Sequence, residues 1–223
     1  MKTKIFLISF ISCLVLQNIQ ASNNTIVNDN SSWATLGYAV CPECPVWTQY
    51  VYFDGDSIVA SNSYKKVFSC EDKLHENIKY EGLVREQNKK TYFIPVNSET
   101  EYLLYDFSLE EGMIFNYMEI PEYPVSFYTK YVSSVNINGV YLKQIQFTEP
   151  PPYDDIVRAT WIEKIGSLNG LFYPCGMLAP GSKRELLCYY QNDELFYKNP
   201  NYSECYYDNS EDITSAIVRY KIT

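Results

Sequence analysis

Hydrolysis of the Ser-His-Asp type requires a histidine base beside the nucleophile, and this chain has a single histidine. That residue, His75, lies within a charged segment, and no Gly-x-Ser-x-Gly turn occurs to present a nucleophile. Gly166-Ser167 has the wrong spacing, because the next glycine is Gly170. We therefore interpret His75 as a solvated loop residue rather than a catalytic base.

Paired carboxylates offer a second route to chemistry, because two of them can hydrolyse a glycosidic bond. The chain contains 27 Asp and Glu residues, and Glu163 is a candidate for such a pair. The sequence alone places no second carboxylate beside it. We expect these acids to form a solvated face, and a glycan-acting hydrolase is kept as an alternative hypothesis.

Redox and metal chemistry are less favoured. Cys41-Pro-Glu-Cys44 has redox spacing, but a strand-like run follows it where a thioredoxin-type site has a helix. The segment Asp208–Asp212 imitates the start of a calcium-binding loop, but Ile213 stands where that loop needs glycine. The sequence predicts no cofactor and no metal site, with a looser calcium site as the alternative.

Two proline-containing segments carry tyrosines and acids on either side of one predicted hairpin. Residues 118–124 precede the hairpin at 127–147, and residues 148–155 follow it. Both leave from the end opposite the Asn138-Gly139 turn, so we expect them to be neighbours. Rigid aromatic anchors on loops often form binding surfaces, although proline can simply end strands and tyrosine can cover a sheet edge. The candidate binding residues are Glu122, Tyr123, Tyr153, Asp154 and Asp155.

The elements that position these residues are short apolar and aromatic runs separated by turn residues. The Asn138-Gly139 pair marks the clearest hairpin, because it supplies the positive φ of a tight turn. Other predicted turns lie at 54–56, 86–90, 166–169 and 191–193, and further strands at 102–107, 170–173 and 216–222. This spacing predicts an all-β fold, an antiparallel meander of about ten to twelve strands that forms a barrel or sandwich.

The first residues predict export. Lys2 and Lys4 precede an apolar run, Ile5 to Leu16, and Ala21 stands at the expected cleavage site. The run is too short to span a bilayer comfortably, so we expect no stable membrane anchor. We expect a signal peptide at 1–21, a flexible N-terminal segment at 22–36 and a single β domain at 37–223. The expected location is the periplasm, the cell surface or the medium.

Six of the seven cysteines follow this leader, and an even number in an exported chain favours disulfides. Cys188 and Cys205 flank a predicted hairpin and its return, so they are the preferred pair. A loop of that size contributes roughly 3 kcal/mol. The pairing of the other candidates is left open: Cys41, Cys44, Cys70 and Cys175.

The amino-acid composition limits the classes of partner that the protein can bind. The chain has 18 Lys and Arg against 27 Asp and Glu, a formal net charge of −9. An acidic surface repels phosphate backbones and anionic membrane faces, so we expect no nucleic acid partner. The 22 tyrosines suit a half-exposed sheet and would equally suit a sugar-binding platform. We expect a partner that is a protein or a glycan.

Several motifs resemble those of a family of uncharacterised exported bacterial proteins. They are Gly82–Glu86 with Lys90–Tyr92, Leu103–Leu109, Trp161–Ser167, and Leu187-Cys188 with Tyr197 and Cys205–Tyr207. Members often read Trp-Ile-Glu-Gly-Ile-Gly-Ser, from which Lys164 departs. Many carry a C-terminal sorting domain for type IX secretion, and the residues after Cys205 are too few to form one. The resemblance covers about residues 45–207 and implies an all-β exported fold, with no catalytic residue.

These observations favour a secreted, non-catalytic binding or interaction protein of unknown ligand. A glycan-acting hydrolase that uses paired carboxylates is the first alternative. A structural component of the cell envelope is the second.

Overall fold

The computed structural model describes residues 24–39, 44–117, 125–175 and 182–208. These residues form thirteen β-strands and no helix, which confirms the predicted all-β class. In chain order the strands are β1 (Ser31–Ala39), β2 (Val46–Val59), β3 (Asn62–Cys70), β4 (Lys79–Gln87), β5 (Lys90–Pro95), β6 (Tyr102–Asp106), β7 (Ile114–Tyr117), β8 (Val125–Ile137), β9 (Val140–Thr148), β10 (Ala159–Ile162), β11 (Gly166–Ser167), β12 (Ser182–Gln191) and β13 (Glu194–Lys198). The predicted signal peptide and the predicted strand at 216–222 lie outside the described residues.

Two curled antiparallel sheets enclose the core. The larger has the order β13-β12-β1-β2-β3-β4-β5-β6, and the smaller has the order β11-β10-β9-β8-β7. Within each sheet, strands that follow one another in sequence are therefore neighbours, except where β12 returns to pair with β1. That pairing places Ser31 opposite Gln191, so it joins the beginning of the fold to its end. In the described part of the chain no helix has the length and hydrophobicity needed to cross a membrane.

Tight turns with two residues at positive φ join several strands. Asn88-Lys89, Asn138-Gly139 and Asn192-Asp193 have φ values between 51° and 84°. Their strands twist in the sense that such turns favour, which explains why these short polar pairs mark hairpins. All three turns lie within ranges that the sequence predicted.

The predicted turn at residues 54–56 is wrong. Asp54 and Gly55 together oppose the single residue Lys66, so they form a bulge inside the continuous strand β2. Gly55 has a φ of 77°, which explains why glycine occurs there. The hairpin turns later, at Ala60-Ser61, where both residues have positive φ.

The domain also begins earlier than predicted. Residues 31–36, expected in the flexible lead-in, belong to β1, which lies between β12 and β2 in the larger sheet. The side chains of Trp33, Ala34 and Leu36 are fully buried there. The serines before Trp33 made the segment look polar, although a strand needs only alternate residues to be apolar.

Aromatic rings fill the space between the two sheets. The ring of Trp161 lies 4.9 Å from that of Tyr105, 4.8 Å from that of Phe115 and 4.3 Å from that of Phe147. The first two contacts are edge-to-face, the geometry in which a positive ring edge meets a negative face. Trp161 is therefore the centre of the main core.

The polar atoms of buried rings bind the backbone of residues 165–174, which we call the inner segment. Trp33 Nε1, Trp161 Nε1 and Tyr105 Oη donate hydrogen bonds to the carbonyl oxygens of Ile165 (2.7 Å), Pro174 (2.5 Å) and Leu171 (2.6 Å), respectively. The segment has few backbone hydrogen bonds to the sheets: β11 pairs with β10, and Leu168 accepts from the backbone N–H of Leu186 on β12 at 2.8 Å. The rings therefore satisfy buried carbonyls that would otherwise lack partners.

The inner segment differs from its prediction. Gly166 and Ser167, expected in a turn, form β11, and the expected strand at 170–173 is irregular. A turn at 163–165 precedes β11, and Lys164 there has a φ of 73°. Glycine would adopt that conformation without steric cost.

A second, smaller core lies on the outer face of β12, β1 and β2, under residues 199–207. A disulfide joins Cys188 to Cys205 with a Cα–Cα distance of 5.5 Å, which confirms the predicted pair. A bulge in β12 places Leu187 and Cys188 on this same face. Asn199 binds the carbonyl oxygens beside the bulge, those of Leu186 (3.0 Å, from Nδ2) and Leu187 (2.8 Å, from its backbone N–H).

The other disulfide candidates have different environments. Cys44 is also disulfide-bonded, and Cys41 lies outside the described residues. Cys70 is a free, buried thiol, and burial raises its pKa to about 11, so the thiol stays protonated at neutral pH. Cys175 is buried in the main core.

Replacing Tyr105 with Phe should lower the free energy of unfolding by about 2 kcal/mol, because the carbonyl of Leu171 loses its buried donor. The amide of Ser167, which donates to the Tyr105 hydroxyl at 3.2 Å, loses its acceptor as well. Denaturant titration measures the change. Tyr141→Phe is the control, since that side chain is 72% exposed and should show no change. Equal stabilities for the two variants would contradict the role given to Tyr105.

Candidate functional site

A cleft of about 540 Å³ opens between the larger sheet and the inner segment. Strands β5, β6 and β7 and the inner segment supply its aromatic wall. We call it the aromatic cleft, after its five rings: Phe93, Tyr102, Tyr117, Phe172 and Tyr173. Concave sites with aromatic walls and a few polar groups are the usual form of ligand pockets.

Hydrogen bonds on both sides hold two of these rings in place. Phe172 and Tyr173 follow Leu171, whose carbonyl accepts from Tyr105, and precede Pro174, whose carbonyl accepts from Trp161. The ring of Phe172 also packs 4.9 Å from that of Phe93 on β5. The wall is therefore anchored to the core at each end rather than presented on a free loop.

The polar lining comes from four residues: Gln49, Lys79, Glu81 and Ser98. Glu81 accepts a hydrogen bond from Ser69 Oγ at 2.6 Å and lies 3.0 Å from Lys79 Nζ, so its charge is already balanced. Gln49 Oε1 is buried and has no hydrogen-bond partner among the described residues. An unpaired buried acceptor costs about 1–3 kcal/mol, so it marks a place where a ligand donor would be bound favourably.

Arg184 is held between two rings, one of which, Tyr173, lines the cleft. Its Cζ is 4.5 Å from the ring centroid of Trp47 and 4.9 Å from that of Tyr173. It crosses Gly37, where an added Cβ would lie 2.1 Å from Nη1, so any larger residue would displace the guanidinium. Within the part of the chain that the structure describes, its Nη1 is buried without a hydrogen-bond partner.

The predicted surface patch is only partly within the described residues. Glu122 and Tyr123 lie outside them. Tyr153 is 74% exposed and Asp155 is exposed. Asp154 forms an ion pair with Lys130 on β8, and this contact lowers the pKa of Asp154. The described part of the patch is thus a solvent-facing loop, and it does not line the aromatic cleft.

The predicted catalytic candidate Glu163 also lies away from the cleft. Its Oε2 accepts from the backbone N–H of Lys143 at 3.1 Å, and its Oε1 lies 4.0 Å from Lys89 Nζ. Its backbone N–H donates to the Lys143 carbonyl at 2.9 Å. Glu163 therefore links β9 to the turn after β10.

Glu86 is a second carboxylate whose pKa responds to the charge of Glu163. Burial raises the pKa of Glu86 and the charge of Glu163 raises it further, while hydrogen bonds from two backbone amides oppose the shift. Those amides belong to Val27 and Ile26, at 3.2 Å and 2.7 Å from Oε2. Both carboxylates are thus hydrogen-bonded to the backbone. Among the described residues that line the cleft, Glu81 is the only carboxylate.

His75 takes no part in the cleft. It is exposed, has a φ of 57° and lies with its ring 4.7 Å from that of Tyr50 on the outer face of β2. In the described part of the chain, no group of three or more His, Cys, Asp or Glu residues is arranged to hold a metal ion.

Sequence reasoning missed Phe172, Tyr173 and Arg184. Gly170 and Pro174 bracket a run of three residues, which is short for a strand and was the available signal that this run is irregular. Arg184 alternates with the buried Leu186 along β12, so its position faces the interior. A charged residue in phase with a buried leucine was the available signal for an arginine that faces the interior.

No protein family, curated protein or solved structure matches this chain. The resemblance to exported bacterial proteins therefore stays a prediction. Any function has to be inferred from the cleft itself.

Glu86→Ala should lower the free energy of unfolding by about 1–3 kcal/mol, because the amides of Ile26 and Val27 lose their acceptor. Glu86→Gln keeps an acceptor oxygen and serves as the control.

The pKa of Glu86 is raised from 4.5, so the folded state holds this proton more tightly than the unfolded state. The stability of the wild type relative to Glu86→Gln should therefore fall as pH rises from about 4 to about 7. Denaturant titrations across this range measure the difference, and a flat profile would contradict the raised pKa.

Proposed function

We propose that this protein is an exported, non-catalytic binding protein that takes a sugar unit of a glycan into the aromatic cleft. The observation that carries the proposal is the combination of five rings with an unpaired buried acceptor, Gln49 Oε1. A sugar ring has an apolar C–H face and a rim of hydroxyl groups. It therefore needs a flat aromatic surface and scattered hydrogen-bond partners at the same site.

The lining supports a sugar over other small ligands. The C–H hydrogens of a sugar face carry partial positive charge, which complements the negative face of an aromatic ring. Its hydroxyl groups can donate to Gln49 Oε1, whereas a lipid tail has no donor to offer. A nucleotide would bring phosphates to a chain with a formal net charge of −9.

Export is supported by two features. The first residues have the pattern of a secretory signal peptide, and the Cys188–Cys205 disulfide suits an oxidising compartment. Glycans are abundant in the cell envelope and in the medium, where an exported protein would meet them.

The small number of carboxylates in the described cleft lining favours binding over hydrolysis. Glycoside hydrolysis ordinarily uses two carboxylates that flank one bond, and the described cleft lining supplies only Glu81. Glu81 already accepts a hydrogen bond from Ser69 and forms an ion pair with Lys79.

A panel of neutral and acidic glycans, titrated by calorimetry, tests the proposal. Tyr102→Ala should weaken binding of whichever glycan binds by about tenfold, because one stacking surface is lost. Tyr141→Ala is the matched control, since Tyr141 is exposed and lies outside the cleft lining. Binding of no glycan, or equal losses in the two variants, would refute the proposal.

Gln49→Leu gives an independent readout. The substitution removes an unpaired buried oxygen, so the unfolding midpoint should not fall, while glycan affinity should drop about tenfold. Thermal denaturation and calorimetry on the same samples measure both. A lower midpoint with unchanged affinity would show that Gln49 serves the fold alone.

A further inference from the structure

Buried polar atoms without partners are concentrated beside the aromatic cleft. Five such side-chain atoms occur in the described residues, and three belong to the adjacent strands β12, β1 and β2: Arg184 Nη1, Thr35 Oγ1 and Gln49 Oε1. Thr35 pairs with Gln49, and Gly37, two residues further along β1, pairs with Arg184. The three atoms thus lie in two neighbouring rows of the sheet. Native proteins pair nearly all such atoms, so a cluster calls for an explanation.

The chain contains its own comparison for Arg184. Arg85 also stacks on rings, with its Cζ 4.2 Å from the ring centroid of Tyr92, and it forms two hydrogen bonds of 2.6 Å and 2.5 Å to the carboxylate of Glu101. Arg158 is paired with Glu149 at 2.5 Å. Among the three arginines in the described residues, Arg184 alone has no carboxylate partner, although two rings hold its guanidinium in place.

We propose that Arg184 binds a carboxylate of the ligand, so the sugar in the aromatic cleft is a uronic acid. This inference rests on the proposed function. A guanidinium presents its N–H groups in a planar fork that matches the two oxygens of a carboxylate. Tyr173 both lines the cleft and lies 4.9 Å from Arg184 Cζ, so this ring connects the guanidinium to the cleft.

The remaining lining agrees with an acidic sugar. Gln49 Oε1 accepts from a sugar hydroxyl, and the stacked arginine replaces the water that a free carboxylate would lose on binding. Because the chain carries a formal net charge of −9, its surface as a whole repels anions. Recognition of a carboxylate therefore depends on this local cation, which makes the effect of Arg184 measurable.

The test compares matched pairs of oligosaccharides. Oligomers of galacturonic, glucuronic and mannuronic acid are titrated beside the same oligomers with their carboxyl groups reduced to alcohols. The wild-type protein should bind at least one acidic oligomer about tenfold more tightly than its neutral counterpart. Arg184→Gln should remove this preference, so that the acidic and the neutral oligomer bind with equal affinity. Lys183→Gln, a change in the exposed neighbouring residue, is the control and should keep the preference.

Each other outcome is informative. Equal binding of acidic and neutral oligomers, or binding of neutral glycans alone, overturns the uronic acid and leaves the proposed function standing. Binding of no glycan overturns both. Binding of a polyglutamate peptide but of no sugar assigns Arg184 to an acidic peptide and also overturns both. If Arg184→Gln does not fold, Arg184→Lys keeps the charge without the planar fork and should reduce the preference; an unchanged preference would contradict the proposal.

Discussion

The hydrogen bonds from buried rings to the inner segment are the constraint on which the rest of this structure depends. Residues 165–174 lie against the core with little sheet pairing, and an unpaired carbonyl there would cost as much as a lost hydrogen bond. Trp33, Tyr105 and Trp161 come from both sheets, so the same three contacts also tie the sheets together. Burial keeps the Tyr105 hydroxyl protonated by raising its pKa well above the usual value, which preserves it as a donor.

This arrangement explains why the chain uses so much tyrosine. Inside, Tyr105 combines a large apolar ring with a hydroxyl that the inner segment requires. On the outer face, Tyr202 and Tyr207 cover the second core under the disulfide. Tyr102 and Tyr173 line the aromatic cleft. Phenylalanine would serve the packing in each place, but it would lack the polar hydroxyl group.

How much of the fold and of the cleft could be predicted from the sequence depends on how far apart in the chain the interacting residues lie. Asn138-Gly139 marks its hairpin because the turn conformation is decided by the two residues themselves. Asp54-Gly55 carries the same local signal and forms a bulge, because pairing with β3 decides the outcome there. The inner segment escaped prediction for the same reason, since its partners lie up to 132 residues away in sequence. The cleft is assembled from β2, β4–β7 and this segment, so no local motif encodes it.

The contrast between Arg85 and Arg184 bears on why the fold tolerates a cluster of unpaired polar atoms. Arg85 shows that this chain can place a carboxylate beside a stacked arginine when stability alone is at stake. At Arg184 it instead keeps a glycine beneath the guanidinium and two rings around it, and none of the described residues supplies an anion. A preorganised cation without a partner lowers stability and raises affinity for whatever anion arrives, because no internal pair has to break first. The same logic applies to Gln49, and the two together favour a ligand that offers both an anion and a hydroxyl donor.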